Sequence, residues 1–351
     1  MVAGRLRSRV RREAIFARSA VRHPRMLARR VRRAGSPTVA FVERNHDPAR
    51  TLLLVGSRRS GTTWLAEVLV AALEARFVYE PLRTRSVPWT RPVRPGLYVP
   101  SDHPADDAVA GVIDRVVTGR FRNRFTDKYN AVRFPRCRVV KEVRLTNLLP
   151  WIARRYPATP IVYLLRHPLA SAWSVTRLGW PDNVEQLLDQ VPLRDGPLAS
   201  FRALITEAAA SPDPLLRVVL AWCLENLVPL RCLPGGRVHV VFYENLVTDP
   251  RAELQRLGAY LDRLAPRRWR LQPVAGASFG RPSHSSRRRA GGGPPPRQLD
   301  AWMGQIPAER VERALSVVRG FGLDRIYGPG ALPLVPPDDV LPGVALARPT
   351  A

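Results

Sequence analysis

The stretch "LLLVGSRRSGTTWL", residues 52–65, decides the fold. An apolar run closing on a glycine reads as a strand buried on both faces of a parallel sheet. Beyond the turn, Trp64, Leu65, Val68, Leu69 and Ala72 recur at helical spacing, so the unit is strand, loop, helix. Gly56 and Gly61 have the spacing of the nucleotide-binding loop G-x-x-x-x-G-K-[ST], but Thr62 stands where the lysine that reaches the terminal phosphates of ATP belongs. The basic residue lies earlier, at Arg59, and Thr62 and Thr63 offer hydroxyls without an evident magnesium-binding partner. The simplest deduction is a phosphate cradle that works without metal; the bland alternative is that the two glycines only close a βα turn.

The alternation continues along the chain. Strands are expected at "RFVYE" (76–80), "CRVVKEVR" (137–144), "TPIVYLLR" (159–166) and 237–243, with helices at 147–156, from Pro168 onward, at 213–232 and at 249–261. This predicts an α/β fold of three αβα layers around a central, mostly parallel sheet, P-loop NTPase-like. Ligands of such sheets bind at the carboxyl ends of the strands, where every candidate residue sits. The predicted organisation is a basic arm over 1–45, one domain over 46–330 and a disordered tail over 331–351, with a Gly-, Pro- and Arg-rich loop at 280–300.

The net charge of +27 raises nucleic acid or an acidic membrane as partner. All but Lys128 and Lys141 of the 56 basic residues are arginine, and with 35 prolines this reads first as compositional bias. The arm is the exception, with thirteen arginines against Glu13 and Glu43. It has no apolar run fit for a signal peptide or a membrane span; it suits a basic helix on an acidic membrane or a solvated arm. The expected location is cytoplasmic, with peripheral contact at the inner membrane face through the arm. Neither Cys137, Cys223 and Cys232 nor the six histidines show metal-ligand spacing, so no metal is expected.

Two motifs carry a resemblance. "RSGTTWL" (59–65) resembles the 5′-phosphosulfate loop, [KR]-[SA]-G-[TS]-[TS], of sulfotransferases that use 3′-phosphoadenosine 5′-phosphosulfate (PAPS). "LLRHPLASAWS" (164–174) resembles that family's 3′-phosphate motif, an arginine ending a strand followed eight positions later by a serine, here Arg166 and Ser174. "FVYEPL" (77–82), "VVKEVRL" (139–145) and "FYENLVTDP" (242–250) look like stretches of the carbohydrate branch, the Golgi-type 6-O-sulfating enzymes and their bacterial relatives. The resemblance covers about residues 50–328. It implies sulfuryl transfer from PAPS as co-substrate to a hydroxyl of a sugar, glycolipid or similar small acceptor by in-line displacement.

The resemblance distributes roles. Arg59 stabilises the leaving bridging oxygen; Ser60, Gly61, Thr62 and Thr63, with Trp64 after them, bind the 5′ end of the cofactor. Arg166 and Ser174 hold the 3′-phosphate. Ser285, Ser286 and Arg287 lie where relatives close a basic, hydroxyl-rich loop over the cofactor, although this stretch lacks the strict R-K-G form. Where cytosolic relatives place a catalytic histidine, this chain has Val143, so Glu80 becomes the candidate base, with a structural carboxylate orienting Arg83 or Arg144 as the alternative. Burial would raise its pKa and nearby arginines would oppose that. Lys141 is a candidate contact for the sulfuryl group, or else an ion-pair partner of Glu142 or Glu244. His167 is a candidate for lining the cofactor site and His239 reads as packing. The loops 81–136 and 178–212, carrying Trp89, Tyr98 and Trp180, are where acceptor specificity is expected. The rivals are a P-loop kinase or NTPase, which asks for lysine at position 62 and an acidic metal partner, and a basic membrane- or nucleic-acid-binding protein without catalysis.

Overall fold

The computed structural model describes residues 40–265, 268–269, 271–272 and 299–342. Five strands, β1 (Thr51–Gly56), β2 (Arg76–Tyr79), β3 (Arg138–Glu142), β4 (Ile161–Leu165) and β5 (His239–Phe242), form one sheet in the order β2-β3-β1-β4-β5. All four pairings are parallel. The helices are α1 (Thr62–Leu73), α2 (Asp107–Thr118), α3 (Leu149–Arg155), α4 (Pro168–Thr176), α5 (Val184–Leu188), α6 (Val191–Arg194), α7 (Arg202–Ala209), α8 (Pro214–Cys232), α9 (Tyr243–Thr248), α10 (Pro250–Leu264) and α11 (Ala308–Gly320). The expected α/β architecture is the observed one, with strand ends trimmed by one to three residues.

Every residue of β1 is buried because alternate side chains enter two cores. Leu53 and Val55 pack with α2, α3, α4, α8 and α11; Leu52 and Leu54 pack with α1, α9 and α10. The chain leaves β1 first towards β3 and β2 and later towards β4 and β5, so β1 and β4 flank the switch point. A crevice at the carboxyl ends of the strands is the geometric consequence there. Among the described residues no helix is long and apolar enough to cross a membrane.

Both expected domain edges move outward. Residues 40–45, assigned to the arm, belong to the fold: the buried Glu43 carboxylate accepts from Arg76 and Arg138, both at 2.6 Å, and the Phe41 ring lies 4.5 Å from the Arg76 guanidinium. Two arginines starting adjacent strands need a counter-charge once covered, and Glu43 supplies it. Residues 331–342, expected in a disordered tail, run back along the domain. Tyr327 bridges Pro333 in antiparallel fashion, the Leu334 N–H donates to Ile326 O, and Val340 and Leu341 are buried. Apolar side chains spaced through a proline-rich segment hide this packing from composition. The rest of the arm, the 280–300 loop apart from residues 299 and 300, and the tail beyond 342 lie outside the described residues.

Candidate active site

The loop after β1 is built from below. The Asn226 side chain on α8 donates to Ser57 Oγ at 3.0 Å and the Ser60 hydroxyl donates to Ser57 O at 2.7 Å, which fixes the turn on the buried helix. Arg59 takes φ 66° and Gly61 φ 99°. Gly61 caps α1 without any side-chain cap hydrogen bond, so the first N–H groups of α1 face the loop's concavity. Ser60, Thr62 and Thr63 are buried around it. Chain direction and helix dipole give this turn the electrostatics of a candidate anion site.

Arg166 follows β4, beside β1, and its Nη1 donates to Arg59 O at 2.9 Å. Its Nε is buried without a partner among the described residues. Such an orphaned guanidinium donor is what an incoming phosphate oxygen would satisfy. Arg59 Nε donates to Ser174 Oγ at 2.9 Å, so the residues expected at opposite ends of the cofactor meet through one hydrogen bond. Arg59, Ser60, Gly61, Thr62, Thr63, Arg166 and Ser174 therefore converge on the β1/β4 crevice. Trp64 lies edge-on to Tyr243, with ring centroids 5.9 Å apart.

On the other flank of β1, Lys141 and Glu80 meet. Lys141 Nζ donates to Glu80 Oε1 at 2.6 Å and Arg144 Nη1 to Glu80 Oε2 at 3.3 Å. Burial pushes the Glu80 carboxyl up, but Lys141 and Arg144 outweigh it and hold the pKa down at about 2. The opposition from nearby cations foreseen in the sequence thus wins. Lys141 pairs with Glu80 rather than with Glu142 or Glu244, because Glu80 directly follows β2, whose last residue, Tyr79, is paired with Lys141 on adjacent β3. Glu80 takes φ 42°, a left-handed conformation that bulky residues avoid and that Arg59, another candidate site residue, also adopts.

His167 does not line the crevice. Its backbone N–H donates to Glu244 Oε1 at 2.9 Å, its Nδ1 accepts from the Leu169 N–H at the start of α4, and Nε2 lies 3.0 Å from Gly328 O. Burial lowers its pKa to about 4, so the ring is a neutral cap. His239 stacks on Tyr260 as packing. Trp89 packs on Phe121, while Trp180 sits beside the phosphate loop, its ring centroid 5.9 Å from Arg59 Cζ. Ser285, Ser286 and Arg287 lie outside the described residues.

Sequence reading missed two supports. Tyr243, the first residue of α9, places its ring 4.3 Å from the Arg166 guanidinium and directly under Gly61. Arg58 clasps the 178–183 loop through Pro181 O at 3.0 Å and Asn183 Oδ1 at 2.9 Å, and Asn183 in turn donates to Glu225 on α8. Tyr243 stood inside a motif already quoted, but its role depends on β5 lying next to β4. Glu142, the acid that ends β3 beside β1, accepts from the Leu82 and Val143 N–H groups and from Arg144.

A model of the "Sulfotransferase family" matches residues 52–264. The nodulation protein NoeE of Sinorhizobium fredii is 29% identical over 221 residues, which are 59% of this chain and 49% of NoeE, so the chain spans about half the length of that curated relative. Two solved structures are similar at 16% identity. The sulfotransferase domain from the Synechococcus PCC 7002 olefin synthase has a TM-score of 0.39, over 81% of this chain and 98% of that one. The sulfotransferase domain from the curacin biosynthetic pathway has a TM-score of 0.36, over 65% and 75%.

Proposed function

This chain belongs to the sulfotransferase family, and we propose that it transfers a sulfuryl group from PAPS to a hydroxyl of a carbohydrate, glycolipid or similar small molecule. The observation that supports this donor is the Arg166 Nε, buried and unpartnered among the described residues, beside the start of α1, whose N-cap Gly61 makes no side-chain cap hydrogen bond. A dianionic 3′-phosphate suits the first and the 5′-phosphate the second. A nucleotide lacking the 3′-phosphate leaves Arg166 without its ligand.

In the proposed transfer the acceptor oxygen attacks sulfur in line as the bond from sulfur to the 5′-phosphate oxygen breaks. The sulfuryl group moves to the acceptor, 3′,5′-adenosine bisphosphate leaves, and the acceptor proton passes to a base. Arg59, released from Ser174, meets the charge growing on the leaving oxygen. Arginine stays protonated, so its part is electrostatic. Glu80 is the base of this reading. As paired in the structure it is a weak one, so its role requires release from both Lys141 and Arg144, with Lys141 turning to the sulfuryl oxygens, which couples donor binding to base activation. Trp180, next to Arg59, offers a flat apolar face to a sugar ring.

Calorimetric titration with 3′,5′-adenosine bisphosphate, against AMP and ATP with magnesium, tests the donor. Tight binding that needs the 3′-phosphate and no metal is expected. Preference for ATP with magnesium would hand the site to the kinase reading. A cytoplasmic location with the arm on acidic lipid belongs to the same proposal. Deleting residues 1–39 should then abolish binding to phosphatidylglycerol vesicles and leave transfer intact.

A further inference from the structure

Behind Arg166 lies a carboxylate that no step above uses. Glu244, second residue of α9, is 1% exposed. Its Oε1 accepts from the His167 N–H and its Oε2 from the Tyr327 hydroxyl, each at 2.9 Å. Both donors are neutral, and the cation whose field reaches the carboxyl is Arg166. Tyr327 is fully buried, and the His167 ring packs edge-on against it at 5.0 Å while stacking on Trp302 at 4.8 Å. The carboxylate therefore ties the residue after Arg166 to the segment that follows α11.

A neutral acceptor could make both hydrogen bonds. What glutamate adds is a negative charge, enclosed by protein and held on the N–H of the residue next to Arg166, whose guanidinium is read as the anion site. Charges so enclosed act on one another with little screening by water or salt. An arriving phosphate would meet attraction from Arg166 and repulsion from Glu244 together. Binding energy that donor and product share equally does not speed the chemical step, and it slows product departure.

We propose that Glu244 is a positioning residue for Arg166 whose charge weakens the hold on the 3′-phosphate, so that 3′,5′-adenosine bisphosphate leaves after transfer. This rests on Arg166 being the 3′-phosphate ligand. Glu244→Gln keeps an oxygen for the His167 N–H and removes the charge.

The expected result is that Glu244→Gln binds 3′,5′-adenosine bisphosphate about tenfold more tightly, chiefly through slower dissociation in stopped-flow displacement, while AMP affinity changes by less than about twofold. Unchanged or weaker binding of the bisphosphate overturns the inference, as does equal tightening for AMP, which would mean a diffuse field rather than action at the 3′ site. Arg166→Ala, run in parallel, separates the two levels. A 3′-phosphate preference lost in Arg166→Ala yet unmoved in Glu244→Gln defeats this inference alone; wild type without such a preference defeats the donor reading and this with it.

Should Glu244→Gln fail to fold by circular dichroism, infrared difference spectra of wild type recorded over a pH series decide. Burial already pushes the Glu244 carboxyl up against its hydrogen bonds and Arg166. The groups facing it are Arg166 from the end of β4, the neutral His167 at the start of α4, Tyr243 on its own helix and Tyr327. A carboxyl titration that moves to higher pH with the bisphosphate and not with AMP is expected; a titration that the bisphosphate leaves in place overturns the inference.

Discussion

Arg59 and Arg166 divide the charge of the crevice, and their surroundings say how. Arg59 sits in a left-handed turn with its side chain on Ser174; Arg166 is fixed by Arg59 O and laid over the Tyr243 ring. Arg59→Ala should lower turnover by about a hundredfold and change affinity for 3′,5′-adenosine bisphosphate by only a few-fold. Arg166→Ala should bring that affinity down to the level of AMP. Equal bisphosphate affinity in Arg166→Ala and wild type would remove its assignment. Glu80 adds a pH signature, because the fold holds it at about 2 against an ordinary 4.5. The unfolded chain then takes up this proton first, so the stabilisation from Lys141 and Arg144 is complete above pH 4.5 and is lost as acid drives the folded group through its pKa near 2. Glu80→Gln should flatten acid-induced unfolding within that window. It should also cut turnover about a hundredfold with bisphosphate affinity kept; retained turnover would end its candidacy as base.

At the scale of elements, the turn from β1 into α1 depends on Gly61. Its φ of 99° suits glycine, and a Cβ there would lie 2.4 Å from the Tyr243 ring that supports Arg166. Gly61→Ala is expected to cost about 1–2 kcal/mol of stability and, unlike Arg166→Ala, to weaken AMP and the bisphosphate alike. Thermal unfolding with parallel titrations checks this, and a loss confined to the bisphosphate would contradict it. Strand-loop-helix units of this kind were legible because apolar runs and glycine spacing are local signals. The clasp of Arg58 on Pro181 and Asn183, and the pairing of Glu80 with Lys141, were not. They join residues that only strand order brings together, so the net sign of the Glu80 shift followed from topology and not from its neighbours in sequence.

At the scale of the whole molecule the limits of the domain are set by charge and packing at the edges of the two cores. Composition drew the arm through residue 45 because Arg44 and Glu43 continue a polar stretch, and nothing local reveals that Glu43 is the counter-ion of Arg76 and Arg138 at the amino ends of β2 and β3. Those arginines are almost wholly buried, and Asp127 offers Arg76 a second carboxylate at 2.9 Å while Arg138 turns for the rest to backbone oxygens and the Thr51 hydroxyl. Removing one member of a buried pair leaves the other charge enclosed, typically a loss of about 3–5 kcal/mol. Glu43→Gln should therefore lower the free energy of unfolding by about 3 kcal/mol, because the amide accepts one hydrogen bond but cannot balance two guanidinium charges. The site lies at the opposite ends of the strands, so affinity for 3′,5′-adenosine bisphosphate should stay within about twofold of wild type while the protein is folded. Deleting residues 1–39 should leave the unfolding midpoint in place, and extending the deletion to residue 45 should lower it at least as far as Glu43→Gln does. Denaturant curves of the three variants check the whole set. An unchanged midpoint after removal of residues 40–45 would show that the arginines find other partners and return the boundary to where composition had put it.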